Sequence, residues 1–327
     1  MSDRLPPLTA LRAFDAAARH LSFAKAAAEL NVTPAALSFQ IKSLEEHLGA
    51  PVFRRLNRAV ELTEAGQAMA NGAADGFQTL AAAWRAAQRT LDSGVLTVTA
   101  GPAFTAKWLA PRLYDFAQAH PEIDLRFAAT MKRVDLNREG VDVAIRFGPS
   151  ASHPGTHSTQ LAREWASPVM STELAQKYPT LDSLKHVPLI HDDSTAFLNP
   201  PIDWNCWFNV MGIERNTSHG LQFSNADHAI DAALAGAGMA LGRRSLVVKD
   251  IAEGRLVAPI PLAIDTQAGF WFLCAEGAQT RGNIVTFRQW VIAEIEKNTH
   301  VTDTMTIVGP ETDPAEVKAR LATRHVV

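Results

Sequence analysis

The chain has 327 residues, room for two or three domains, with an ordinary globular composition of 31 Lys/Arg against 34 Asp/Glu. No apolar run reaches a membrane-spanning length, no apolar stretch near the start reads as a secretion signal, and Cys206 and Cys274 lack CxxC spacing, so membrane, exported, disulfide-framework and zinc-site classes are set aside and a cytoplasmic location is expected. Charge is uneven: residues 1–62 hold eight Lys/Arg and six Asp/Glu, leaving an acidic remainder, which is weak support for an anionic partner at the head.

Leu8, Leu11, Phe14 and Ala18 recur at helical spacing and predict a first helix over 9–18. Ser22 suits the N-cap of a second helix over 23–30. Residues 31–33 make a tight connection. Thr33 then caps a third helix, Pro34 fits its first position because no intrahelical acceptor awaits that N–H, and Gly49 ends it. Two short helices joined by a turn of three or four residues outline a helix-turn-helix.

On a helical wheel Leu37, Ile41, Leu44 and Leu48 point inward, while Ala35, Ser38, Phe39 and Lys42 point outward. That outer arc offers a small residue, a hydroxyl, a phenyl ring and a cation, and carries no acid in its first half. Such a face suits the major groove of DNA: the backbone approaches closely, polar groups reach base edges, and an apolar group packs on a thymine methyl. Packing of Phe39 on protein or at a dimer contact is the alternative, and the neighbouring residues favour DNA over it.

The stretch "APVFRRLNRAVELTEAG" predicts a small hairpin carrying Arg54, Arg55 and Arg58. Beside such a helix it can hold phosphates and set register without reading sequence; a solvated charged loop is the alternative. A helix of roughly 30 residues follows from Thr63 to about Asp92, some 45 Å long. Its stripe of Met69, Ala73, Phe77, Leu80, Trp84, Ala87 and Leu91 steps by threes and fours, which points to pairing with a second copy of the chain.

From Gly94 the pattern alternates strands and helices. "VLTVTAG" is a strand, "FTAKWLAPRLYDFAQAH" a helix tolerating Pro111, "IDLRFAA" a strand, "VDLNREG" a short helix and "VDVAIRFG" a strand. A second unit follows with "PVMS", "GLQFSN", the helix "ADHAIDAALAG" and the strand "GMALG". The strand "GFWFLC" and a helix over 284–297 come late. This order argues an open, mainly parallel sheet, in which ligands sit beyond the carboxyl ends of strands. Thr99 ends one such strand, Phe104 and Thr105 stand at the following helix start, where free N–H groups suit a carboxylate or another anion, and Thr130 follows the next strand. Arg146 and Phe147 supply a cation and an apolar wall; a structural ion pair for Arg146 weighs equally. Asn225 reads as a helix cap; Trp204 and Trp207 read as core residues, with cleft lining the alternative. No GxSxG, HExxH, Walker loop or strand-following GxGxxG is present, the histidines show no metal-ligand spacing, and no cofactor is expected.

The segment "LSFAKAAAELNVTPAALSFQIKSLEEHLGAPVFRRLNRAVELTEAGQ" resembles the DNA-binding region of LysR-type transcriptional regulators, most nearly the branch containing the glycine-cleavage activator and the β-lactamase regulator. The resemblance is strong over residues 5–92 and continues through "FTAKWLAPRLYDFAQAHPEIDLRF", "EGVDVAIRFG" and "AGAGMALGRRSLVVKDIAEGRLVAPI". It implies an α+β multidomain fold: a winged helix-turn-helix head (residues 1–62), a linker helix that dimerises (63–92), and a periplasmic-binding-protein-like α/β effector domain of two lobes (93–297). The expected partners are double-stranded DNA, a small-molecule effector and the chain itself as dimer or tetramer, with RNA polymerase a further candidate. Base contacts fall on Pro34, Ala35, Ser38 and Phe39, with Thr33 beside them. Phosphate contacts fall near Ser22, Lys42, Arg54, Arg55 and Arg58. Effector contacts fall on Thr99, Phe104, Thr105, Thr130, Arg146, Phe147 and Asn225, whose helix start faces the cleft in the related fold. One departure stands out: many relatives carry Arg or His where this chain has Phe39, so a bidentate guanine contact is absent. An α/β enzyme or solute-binding protein that gained a DNA-binding head is the competing class. Residues 298–327 extend past the usual family end and read as loosely ordered around one short helix over 315–323.

Overall fold

A computed structural model describes residues 5–55, 60–91, 94–136, 139–297 and 300–324. They form two compact units, Met1–Leu91 and Asp92–Val327. Among the described residues no helix is long and apolar enough to cross a membrane.

The first unit is built from α1 (Leu8–His20), α2 (Phe23–Glu29), α3 (Pro34–Leu48), the hairpin β1 (Phe53–Arg55) and β2 (Val60–Leu62), and α4 (Glu64–Leu91). Local chemistry sets the breaks. Ser22 accepts from the Lys25 N–H at 3.4 Å and Thr33 from the Ala36 N–H at 3.2 Å, so the starts of α2 and α3 each have a side-chain cap. Asn31 turns the chain at φ 54 and Gly49 closes α3 at φ 80. The core is rich in alanine (Ala10, Ala13, Ala16, Ala17, Ala26, Ala27), which lets the helices approach closely around Phe14, Leu37, Ile41 and Leu44. Phe53 joins the hairpin to it, 5.5 Å from Phe14 and 5.3 Å from Phe23.

One sequence expectation fails here. Leu48 is 49% exposed, so it does not belong to the core. The inward stripe of α3 stops at Leu44. The next residue, Glu45, sends its carboxylate to the Val52 and Phe53 N–H groups at 2.9 and 3.3 Å, tacking the hairpin onto the helix.

The second unit carries one continuous sheet in the order β4-β3-β5-β11-β6-β9-β7-β8. The strands are β3 (Val95–Ala100), β4 (Asp124–Ala129), β5 (Val143–Gly148), β6 (Thr156–Ser171), β7 (Leu189–Asp192), β8 (Leu221–Phe223), β9 (Met239–Arg243), β10 (Leu256–Val257), β11 (Leu262–Ala275) and β12 (Thr306–Val308). The expected parallel pairing holds within each lobe, for β4-β3-β5 and for β9-β7-β8. Between them the sheet is antiparallel: β6 and β11 pair with each other and run through both lobes. "PVMS" and "GFWFLC" are parts of these long strands, whose other halves the sequence reading left out. Their register slips between Asp265 and Gly269, where Gln267 sits at φ 54, so the crossing is marked by a bulge.

The helix over 102–119 changes its winding. A π-turn at Thr105–Leu109 is followed by a 3-10 turn at Ala110–Arg112, because Pro111 has no N–H to continue the ladder. Of the short helix expected over 134–140, residues 137–138 lie outside the described residues and the flanking ones are not helical.

The described residues of the chain end, 300–324, correct another expectation: they are packed rather than loose. Residues Thr306–Val308 pair in parallel with Leu262–Ile264, and helix Pro314–Arg324 packs against helix Trp204–Met211 with Val317 fully buried.

Candidate functional site

The outer face of α3 is bare within its own unit. Phe39 is 69% exposed; Pro34, Ala35 and Lys42 are exposed, and Ser38 is half-buried. Leu37, Ile41 and Leu44 on the opposite face are buried, so one helix presents two chemically different sides. Lys42 lies 3.7 Å from Glu46 in an exposed pair that water screens. Ser22 and Thr33 use their hydroxyls as caps, which holds the N-termini of α2 and α3 at the surface. Arg54 is exposed on β1. Arg58 and the side chain of Arg55 lie outside the described residues.

Behind this face, Arg19 joins Asp15 at 3.2 Å and Glu29 at 2.6 Å, and His20 reaches Glu29 at 2.6 Å. The Arg19 guanidinium, then His20, hold the Glu29 carboxyl down at about 2.

In the second unit a cavity of about 70 Å³ lies between the lobes. It brings together Phe104, Arg146 and Phe147 from one lobe and Asn225 from the other, four of the seven residues proposed from sequence. Thr99, Thr105 and Thr130 do not line it. Thr99 is buried and donates to Ala128 O at 2.9 Å, Thr105 bonds back to Gly101 O at 3.1 Å, and Thr130 accepts from the Lys132 N–H at 3.1 Å. Thr99 supports the site indirectly, because its hydroxyl accepts from Arg146 at 3.2 Å.

Arg146 is not part of an ion pair among the described residues. Its guanidinium donates to the neutral oxygens of Ile145, Thr99 and Lys132 at 2.9, 3.2 and 3.2 Å, and burial alone pulls its pKa down. Asn225 stands at the N-cap of helix Ala226–Leu234 yet makes no side-chain capping bond, so the expected cap role is not filled by its amide.

The sequence reading missed Arg243, the 5% exposed residue that ends β9. Its guanidinium lies 4.4 Å over the Phe147 ring, reaches Ser194 Oγ at 3.2 Å and approaches Asp192 at 3.8 Å. Its Nε is buried with no hydrogen-bond partner in the structure. Burial is the main influence lowering its pKa, opposed by Asp192, Glu164 and Asp227. Arg243 also lines an adjoining cavity of about 320 Å³ with Asp192, Thr195, Ile202, Trp204 and Thr266. The strand-end rule that singled out Arg146 applies equally to Arg243. Trp204 meets both readings: it is buried, donating to Ile190 O at 2.9 Å, and it lines this adjoining cavity, whereas Trp207 is buried and lines neither of the two cavities.

Besides Arg243 over Phe147, two more contacts bridge the lobes across this cleft: Phe147 meets Phe197 edge-on at 6.0 Å, and Lys107 pairs with Asp231. The cleft thus offers two cations, an aromatic wall and a free amide, and no constellation of nucleophile and base. Among the described residues no group of His, Cys, Asp and Glu could hold a metal ion.

Comparison with known proteins matches both units. Residues 8–67 match the bacterial regulatory helix-turn-helix protein, lysR family, and residues 89–296 match the LysR substrate binding domain. The chain is 40% identical over 299 residues to the glycine cleavage system transcriptional activator of Escherichia coli (strain K12), covering 90% of this chain and 95% of that protein. It is 35% identical over 289 residues to the HTH-type transcriptional activator AmpR of Pseudomonas aeruginosa, covering 88% and 95%. The solved effector domain of that AmpR superposes with a TM-score of 0.51 at 28% identity, covering 63% of this chain and 98% of the domain.

Proposed function

The chain belongs to the LysR family of transcriptional regulators, a DNA-binding helix-turn-helix joined to an effector-binding domain, and from that premise we propose which residues carry each role. α3 enters the major groove with Pro34, Ala35, Ser38 and Phe39 at the base edges. Thr33, Ser22, Lys42 and the hairpin arginines Arg54, Arg55 and Arg58 hold the flanking phosphates. The observation that carries this reading is the 69% exposure of Phe39 on the side of α3 opposite its buried stripe. A solvated phenyl ring on an otherwise polar face loses contact with water when it meets a thymine methyl, and it cannot accept or donate a base-edge hydrogen bond.

The experiment is binding to operator DNA in which single thymines are replaced by uracil, which lacks the methyl group. The native protein should lose about 0.8 kcal/mol, roughly fourfold in Kd, at one position, and Phe39→Ala should lose nothing further there. Equal sensitivity in both proteins would overturn the assignment.

The effector occupies the interlobe cleft. Arg146, Arg243 and the N–H groups starting the helix over 102–119 favour an anionic group, and Phe104, Phe147 and Phe270 favour a small apolar part. The volume of about 70 Å³ is small for a metabolite, so binding uses the adjoining cavity or parted lobes. Both relatives are transcriptional activators, one of the glycine cleavage system; for this chain, activation of a target promoter is the corresponding reading. Self-association runs through α4, whose Leu80 and Trp84 are 53% and 67% exposed, and two heads then match two half-sites. RNA polymerase contact and a cytoplasmic location complete the proposal. Effector binding biases the lobe conformations, and through them the geometry of the assembled heads. Equal DNA bending with and without saturating effector would count against that last step.

A further inference from the structure

The end of the chain links the lobes a third time. β6 and β11 are the first two links, side by side through the bulge. Helix Gly282–Glu296 belongs firmly to the first lobe. Phe287 meets Phe116 edge-on at 5.4 Å, Asn283 donates to Val95 O at 3.0 Å, and Arg281 beside the helix start pairs with Asp142 at 2.8 Å.

Shortly afterwards the chain is docked on the second lobe. Residues His300–Asp303 pack on helix Arg244–Ala252. Thr306 N–H donates to Pro261 O at 2.7 Å, and β12 lies along Leu262–Ile264, the residues just before the bulge. Pro310 O accepts from the Cys206 thiol at 3.8 Å. Pro314 packs so tightly on Gly212 that an added Cβ there would sit 2.9 Å from it, and Val317 is buried in the cluster of Trp204, Trp207 and Phe208.

Only three Cα steps separate Lys297 from His300, at most about 11 Å of reach. An opening that moved the end of helix Gly282–Glu296 away from Arg244–Ala252 by more than this slack would have to undock one end. The residues concerned lie beyond 296, where the match to the effector-domain family stops. They therefore belong to this chain's own tail and not to the matched domain.

We infer that residues 300–324 act as a strap that limits how far the two lobes open about the bulge at Asp265–Gly269. A tail that merely covers apolar surface would stabilise the second lobe whatever the length of its tether. A strap depends on that length.

The test inserts a flexible Gly/Ser segment of about six residues, roughly 20 Å of added reach, after Lys297, leaving every packed residue in place. Spin labels on ketone-bearing side chains at the exposed positions 122 and 173, one in each lobe, report the interlobe distance by double electron–electron resonance in the free full-length protein. The labelling rate of Cys206, which lies under the tail, reports whether the tail stays docked. The expected result is a broader distance distribution with a mean several ångströms longer and a Cys206 rate matching the parent. If Cys206 becomes fast, undocking has released the strap, and the distribution should broaden all the same. An unchanged distribution overturns the inference whatever Cys206 does. The readout requires neither DNA nor effector, so its failure is distinct from failure of the assigned DNA or effector contacts.

Discussion

On the proposed contacts, Phe39 and Glu29 should separate recognition from stability at single residues of the head. Phe39 costs the fold nothing to replace, since its ring is exposed, so Phe39→Ala should leave the melting temperature nearly unchanged while removing the thymine-methyl preference. Glu29 does the reverse. Its folded carboxyl titrates at about 2 against a usual value of 4.5, held down by Arg19 and then His20. A depressed folded pKa means the contribution is complete above about pH 4.5 and is lost as the pH falls toward 2. Acid titration of the melting temperature should therefore show a limb in that window, and Glu29→Gln should flatten it without changing DNA specificity. Because Arg19 and Glu29 are partly exposed, added salt should shrink the limb. Phe39 was legible from the helical wheel alone. The Arg19–Glu29–His20 cluster was not, because its members come from two helices whose crossing no periodicity specifies.

At the scale of elements, α4 and the hairpin carry the sharpest expectations. Leu80 and Trp84 lie on the predicted stripe and are exposed, whereas Met69 and Ala73 on the same stripe pack against the head's core. The stripe therefore meets two environments along its length, packed near the head and exposed farther on. Trp84→Lys should shift sedimentation toward monomer and weaken binding to a two-half-site operator far more than to a single half-site. Gly66, near the start of α4, faces the hairpin so closely that a Cβ there would lie 2.2 Å from Val52 O. Gly66→Ala should destabilise the first unit by about 1–3 kcal/mol, read by thermal unfolding, because the opposing group is backbone and cannot swing away. In the second unit the strands with hydrophobic runs and bounding turns were legible. β6 and β11 were read too short because their lobe-crossing halves interleave polar residues such as Arg163, Glu164, Asp265 and Gln267, which resemble loop in isolation. Glu164 is in fact fully buried, accepting from Ser245, a pairing across 81 residues.

For the whole molecule, binding should be strongly salt-dependent, log K falling with log salt by roughly 0.9 per phosphate neutralised, and Arg54→Ala should lessen that slope by about 1. The slope, measured with native and substituted protein on one operator, separates backbone contacts from the Phe39 contact, which should be salt-independent. The amino-acid order alone settled the helix-turn-helix, its caps, the long helix after it and the alternation of strands and helices, because spacing, caps and turn residues act within a few positions of one another. It settled the family for the same reason: the recognisable residues are contiguous. What tertiary structure decided is everything that joins distant segments. The antiparallel crossing of β6 with β11, the placement of Arg243 over Phe147, and the docking of residues 300–324 on the second lobe all pair residues tens to hundreds of positions apart. Such contacts follow from how buried faces and unpaired strand edges find partners once the lobes form, and a local pattern carries no record of which partner that is.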